Sequence, residues 1–321
     1  MKTLALVVPC YNEAAVLGMF FSETMKVVEK LKPEYSTEFV FVDDGSKDDT
    51  LKILKDLAAV NHFVKYISFS RNFGKEAAML AGMDYAVKAD YIGILDADLQ
   101  HSPELIPEML DYVANQGYDV AAANREDREG EAKLKSFLSE SFYKVINKVS
   151  ETKIVESAQD FRIMRREVVK SIISLPENIR FSKGIFSWVG FNVKWISHTN
   201  RERAAGETKW SITKLAKYAI DGILGFTTSP LRISFLLAFI CAFTSVGSLA
   251  YAIIRNILDT AYVGIVPYIL TGMFIIAFLL LLCIGILGEY LARVYTESKH
   301  RPKYIVSQTN TQVSYLNPEE I

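Results

Sequence analysis

The stretch "YIGILDADLQHSPE" sets two aspartates, Asp96 and Asp98, one residue apart directly after an apolar run. Carboxylates at that spacing put hard oxygen ligands near one point. Such ligands suit Mg2+ or Mn2+, and Mg2+ usually takes one or two carboxylates together with substrate phosphates. Aspartates also end strands as turn formers and caps, so the pair by itself does not define a metal site. Two further polar clusters accompany it. "DDGSKDDT" (43–50) ends a second apolar run, and "PCYNE" (9–13) ends a third with Tyr11, Asn12 and Glu13. Acid groups gathered there can accept hydrogen bonds from a ribose or a base. A dinucleotide fold would place Gly-x-Gly-x-x-Gly after its first strand. This chain has no such loop, which argues against hydride transfer.

The elements that must position these groups alternate along residues 1 to about 200. "TLALVVPC", "EFVFVDD", "VKYISFS", "YIGILDAD" and "DVAAANR" are short β-branched or aromatic runs. Helical stretches such as "EAAVLGMFFSETMKVVEKL" and "DDTLKILKDLAAV" separate them. The alternation predicts an α/β domain, a mostly parallel sheet with helices on both faces. Ligands of such sheets bind at the carboxyl ends of the strands, where all three polar clusters fall.

The C-terminal part has a different character. No charged residue occurs from Ile233 to Ile254 or from Thr260 to Gly288. Each run exceeds the ~20 apolar residues a helix needs to cross a bilayer. The pair predicts a hairpin of spans at 231–256 and 263–290. Lys209, Lys214, Lys217 and Arg232 precede it, Arg293, Lys299, Arg301 and Lys303 follow it, and the intervening loop offers only Arg255. By the positive-inside rule, the large N-terminal part and both termini are expected to face the cytoplasm, in a multi-pass protein of the cell's inner membrane. "KLKSFLSESFYKVINKV" (133–149) and "SITKLAKYAIDGILGF" (211–226) are basic and amphipathic, as helices lying in the membrane interface are. The expected layout is a cytoplasmic domain at 1–208, an interfacial helix at 209–230, the two spans, and a cytoplasmic tail at 291–321.

Composition narrows the function classes. The formal net charge of −1 over 321 residues gives no bulk attraction to nucleic acid. Cys10, Cys241 and Cys283 lie far apart in apolar settings, which argues against a disulfide framework and a zinc site. The opening "MKTLALVVPCYNE" reads as a buried first strand, since a secretory signal needs a longer apolar core and a small-residue cleavage site.

Taken in order, "VVPCYNE", "VDDGSKDDT", "SRNFGKEAAMLAG", "DADLQHSPE", "QDFRIM" and "RAAGETKWS" resemble glycosyltransferase family 2, of the GT-A fold. The two spans and the ending "GEYLARVYTESKHRPKYIV" narrow the resemblance to the polyprenyl-phosphate glycosyltransferases, which include bactoprenol glucosyltransferases and are relatives of dolichol-phosphate mannose synthase. The resemblance implies inverting transfer of one sugar, glucose first among candidates, from a UDP-sugar to a polyprenyl phosphate such as undecaprenyl phosphate in the lipid bilayer, for modification of cell-envelope glycans. It implies a divalent metal, Mg2+ or Mn2+, on Asp96, Asp98 and Gln100. It places Pro9, Tyr11, Asn12, Glu13 and Asp43 at the uridine end, with Ala97 inside the metal motif. Lys75, Arg125, Arg203 and Lys209 become candidates for phosphate or sugar contacts. Asp160 matches the position the family treats as catalytic base, and the family suggests a homotetramer. Thr208 stands where the family often has serine and keeps the hydroxyl. "NREDREGEAKLKS" is less basic than the family's stretch, which weakens an acceptor role for Lys133 or Lys135.

The second pKa of a phosphate monoester is about 6, so the acceptor is largely ionised at neutral pH. Asp160 then has little proton to remove, and the alternative is that it orients the acceptor or a neighbouring arginine such as Arg162. Two other functions compete with sugar transfer to a lipid. A processive polysaccharide synthase usually has more spans and a Gln-x-x-Arg-Trp string, and this chain has neither. A membrane scaffold or flippase subunit would have no reason to keep all of the acids.

Overall fold

The computed structural model describes residues 1–125, 153–155, 157–199, 201 and 266–311, with isolated positions between 144 and 254. The basic segments at 133–149 and 211–226, the first expected span, Arg203 and Lys209 lie outside the described residues, apart from those isolated positions. The chain divides into two units. One comprises Met1–Gly222 together with Arg301–Ile321, and the other comprises Ile223–His300.

The first unit is built on an eight-stranded sheet. Five strands arise from the apolar runs that the sequence marks: β1 (Lys2–Cys10), β2 (Tyr35–Asp43), β3 (Val64–Phe69), β4 (Tyr91–Ile94) and β5 (Val120–Arg125). Three others join them: β6 (Ala158–Arg165), β7 (Val193–His198) and β8 (Val306–Thr309). The spatial order is β7-β5-β6-β4-β1-β2-β3-β8. β4, β1, β2 and β3 run parallel at the centre, and β5 pairs parallel with β7. β6 enters antiparallel between β4 and β5, and β8 closes the β3 edge antiparallel. The α/β expectation therefore holds, with antiparallel members that alternation alone did not predict.

Helices α1 (Ala14–Leu31), α2 (Thr50–Val60), α3 (Lys75–Ala86) and α4 (Ile106–Ala114) connect the early strands. α5 (Arg166–Ile173) and α6 (Ser182–Trp188) follow β6. β1 and β2 are fully buried through most of their length, as parallel strands covered on both faces must be. Leu4, Leu6, Val8, Phe20, Phe39, Phe41, Leu54 and Phe161 belong to one core cluster. α3 is buried on nearly every side, which its small residues allow: the Cβ of a larger residue at Gly82 would strike Val7 of β1.

In the second unit, α7 (Val266–Ser298) runs for 33 residues. Its portion Gly272–Ser298 is long and apolar enough to cross a membrane, with a mean hydropathy of 2.5. Phe274, Phe278, Leu281 and Ile284 are exposed along it, so its apolar surface finds no cover within the described residues.

Candidate active site

Register assembles the site. β6 is antiparallel to β4 and pairs Ile94 with Arg162. Continue two residues along β4 and two back along β6, and Asp96 comes to lie beside Asp160. The Lys75 ammonium, in the first turn of α3, sits between them at 2.6 Å from Asp96 Oδ1 and 2.6 Å from Asp160 Oδ2. One lysine is thus shared by two carboxylates that lie 64 residues apart in the chain.

The electrostatics follow from this geometry. Burial disfavours each of the three charges, yet attraction among them wins. Lys75 is held well above the usual lysine value by Asp160 and Asp96 against the cost of burial. Asp96 is driven well below the carboxylate range, burial notwithstanding, by Lys75 and then by His101. Asp160 is lowered as well, with Lys75 outweighing burial and Asp96 opposing. A carboxylate held this low is a weak proton acceptor.

Around the triad stand further groups, of which the sequence reading named only Arg162. His101 is buried, with Nε2 3.7 Å from Asp96 Oδ2, Nδ1 3.4 Å from His198 Nε2, and its ring stacked on Phe161. Burial, then His101, holds His198 below the usual histidine value. Glu76 accepts hydrogen bonds from the Ser182 amide and hydroxyl at the start of α6, and burial raises its pKa. This places Lys183 close enough to add positive potential at Asp160. Arg162 is buried too. Its guanidinium donates to the carbonyls of Asp160 (3.2 Å) and Gln159 (2.6 Å), and lies 3.6 Å from the Phe186 ring centre. Burial brings Arg162 down to about 10, against Asp160 and Glu76. The adjacency of His101 to "DADLQ" and of Arg162 to Asp160 was a usable signal. Ser182 and Lys183 gave none, because their place depends on how α6 packs.

The two other strand ends are stitched together. Parallel register sets Cys10 beside Asp43, and the Asp44 amide donates to the Cys10 carbonyl at 2.8 Å. Asn12 adopts a left-handed backbone (φ 51°), which asparagine tolerates. There its amide donates to Ser46 Oγ, and its side-chain oxygen accepts from the Lys47 amide. The Glu13 amide donates to Thr50 Oγ1. Pro9, Tyr11, Asn12 and Glu13 are all half-buried at this edge of the sheet. Asp43 is 1% exposed, and its oxygens accept from the Ser46 amide and the Ser68 hydroxyl, so it shapes the loop at 43–46. Asp44 holds the amides of Phe73 (2.6 Å) and Gly74 (2.9 Å). Burial pushes it up to about 6 although those two bonds oppose the shift.

Asp98 Oδ1 accepts from the Gln100 amide (3.1 Å), Leu99 is left-handed (φ 58°), and Ala97 is buried, so residues 96–100 make a tight turn. Among the described residues no group of three or more His, Cys, Asp or Glu is arranged to hold a metal ion. The residues nonetheless fit one of the magnesium kind. The chain offers Asp96, Asp98 and the Gln100 amide oxygen, Asp96 already engages a cation, and Mg2+ takes its remaining ligands from substrate phosphates and water. The Arg201 amide donates to the Gln100 carbonyl at 3.0 Å, which brings the start of "RERAAGETKW" to this turn. The backbone of Arg125 ends β5 opposite His198. Its side chain, with Arg203 and Lys209, lies outside the described residues.

Residues 5–173 match the family described as glycosyl transferase family 2, and the chain belongs to that family. Among its relatives, an uncharacterized glycosyltransferase of Synechocystis sp., sll0501, is 43% identical over 95% of this chain and 94% of its own. The bactoprenol glucosyl transferase of Shigella phage SfV is 41% identical over 94% of this chain and 97% of its own. Among solved structures, glucosyl-3-phosphoglycerate synthase from Mycobacterium tuberculosis, in complex with Mn2+, UDP-glucose and phosphoglyceric acid, is 16% identical with a TM-score of 0.43, covering 70% of this chain and 78% of that one.

Proposed function

We propose that this glycosyltransferase moves one glucose from UDP-glucose to a polyprenyl phosphate at the membrane surface. The observation that carries the reading is the Lys75-bridged pair Asp96 and Asp160 at the carboxyl end of β4, in a chain similar over nearly its full length to a bactoprenol glucosyl transferase. An acceptor phosphate oxygen bonds to the anomeric carbon, the bond from that carbon to the UDP oxygen breaks, and the configuration inverts. Negative charge develops on the departing diphosphate, and preorganised cations are what stabilise such charge. Lys75 lies where it can supply one, as Arg203 and Lys209 do in the family pattern. Asp96, Asp98 and Gln100 would hold Mg2+ or Mn2+, which neutralises the diphosphate when bound.

Asp160 acts by orientation in this reading. Lys75 keeps it ionised, and the acceptor phosphate, with its second pKa of about 6, needs little deprotonation. The lipid sets the location, since each CH2 drawn from the bilayer costs about 0.8 kcal/mol. The layout follows as a cytoplasmic domain at 1–208, an interfacial helix at 209–230, spans at 231–256 and 263–290, and a cytoplasmic end at 291–321. The place of β8 supports it. A chain that leaves the sheet after His198 and returns to it at Val306 would cross a membrane an even number of times. A homotetramer, carried over from the family resemblance, completes the proposal.

The test is transfer from a panel of radiolabelled nucleotide sugars to undecaprenyl phosphate in detergent, with and without EDTA. One glucose per lipid, abolished by EDTA and restored by Mg2+ or Mn2+, is expected. A polymer would favour a processive synthase, and no turnover with any donor would favour a scaffold.

A further inference from the structure

The chain beyond α7 is wired to the loop that carries Lys75. β8 pairs antiparallel with β3, matching Ile67 with Thr309 and Phe69 with Val306. The Ser307 and Thr309 hydroxyls donate to the carbonyls of Ser68 and Tyr66, and Asn310 brackets Val64 and Tyr66. At its near end the contacts leave the strand and reach the loop at 70–74. The Ser70 amide donates to the Ile305 carbonyl (2.9 Å). The Tyr304 ring stacks on Phe69 at 5.0 Å and 14°, and Phe69 meets Phe73 edge-on at 5.8 Å. Phe73 in turn carries the Arg71 guanidinium at 4.0 Å. The Tyr304 hydroxyl lies 3.4 Å from Asp84 Oδ2 in the last turn of α3.

That loop has two duties toward the site. Its amides at Phe73 and Gly74 occupy both oxygens of Asp44. Its next residue is Lys75. The loop also presses on the "DDGS" turn, where Gly45 (φ 64°) is so close that a Cβ would strike the Arg71 backbone. Whatever fixes residues 70–74 therefore fixes the donor-side turn and the ammonium that joins Asp96 to Asp160.

We infer that Tyr304 is a positioning residue of the nucleotide-sugar site: stacked on Phe69, it holds the loop at 70–74 and through it Lys75 and the turn at 43–46. The segment following the membrane-inserted helix is thus a working part of catalysis. The inference rests on the sugar-transfer reading for its kinetic consequence, and on the stacked rings and the β8 pairing for its structural one.

The test compares Tyr304→Ala, Tyr304→Leu and Tyr304→Phe in the full-length protein. Amide hydrogen exchange is read at Phe73 and Gly74. Kinetics are measured against UDP-glucose and against lipid phosphate separately. Loss of the ring is expected to speed exchange at both amides and to lower kcat/KM for the donor by about 10- to 100-fold, the scale of a ~1 Å misplacement. The lipid KM should stay unchanged. Tyr304→Phe, which keeps the ring, should restore both readouts. If Tyr304→Ala does not fold, Tyr304→Leu is read the same way. Unchanged exchange at Phe73 and Gly74 would overturn the inference. So would faster exchange without a donor defect, or donor and lipid KM shifting together with the melting temperature, which marks general destabilisation. A wild type that transfers no sugar would refute the proposed function instead, and exchange would still decide whether Tyr304 holds the loop.

Discussion

Lys75 is the residue on which the site balances. Remove its charge, and Asp96 and Asp160 face one another with no cation between them. Lys75→Met should lower kcat by about 10²–10³-fold, the usual loss for one preorganised charge-stabilising group. It should also move the acid limb of the pH–rate profile to higher pH, because the group that holds both carboxylates low has gone. An acid limb that stays in place would mean that Lys75 does not set their protonation. Asp160 offers the complementary experiment. If it orients the acceptor, Asp160→Asn should lose less activity at pH 9 than at pH 6, with a raised KM for the lipid phosphate. A loss of about 10²–10⁴-fold, flat with pH and confined to kcat, is the signature of a general base and would restore that role.

Among the elements, what the sequence disclosed and what it hid divide along physical lines. Runs such as "TLALVVPC" and "EFVFVDD" are strands buried on both faces, so composition alone marks them, and their ends at Asp43 and Asp96 mark the site. The direction of β6 is not written in "AQDFRIMR". It is decided by pairing with β4, and that pairing is what carries Asp160 to Asp96. β8, "VSQT", is a short polar edge strand with no apolar signature. Hence the carboxylates were legible, while the lysine bridge, the packing of His101 on Phe161 and His198, and the docked tail depend on partners dozens to hundreds of residues away. α3 offers a measurement of its own. Burial pushes Asp84 up to about 6, against Tyr304 and Lys303. Its native value is raised above the unfolded one, so the folded protein binds the extra proton, and stability falls as pH rises from about 4 through 6. Asp84→Asn, which mimics the protonated form, should match the wild type only below about pH 4, where the carboxyl is protonated in both the folded and the unfolded chain. At pH 8 it should exceed the wild type by on the order of 1–3 kcal/mol. A wild type equal or superior at pH 8 would show that Asp84 is charged there at no cost.

At the scale of the whole molecule, the sheet gathers strands from both ends of the chain: its first strand in sequence begins at Lys2 and its last ends at Thr309, beyond α7. In the proposed layout both ends of the intervening chain therefore belong to one side of the membrane. With Cys241 and Cys283 replaced by serine, a cysteine at Thr260 should react with an impermeant thiol reagent outside intact cells, after any outer membrane is breached. A cysteine at an exposed N-terminal position such as Met19 should not. The reverse pattern would invert the topology. The same closure orders events during synthesis. β3 is complete at Phe69, yet its partner strand begins only at Val306, after α7 has been made. At 5–20 residues per second the ribosome needs roughly 10–50 s to cover that stretch. Throughout that interval the β3 edge stands unpaired, open to any strand that can add to it. The nascent chain thus completes its sheet only after α7 has been made, and in the proposed layout insertion into the bilayer comes before catalytic maturity.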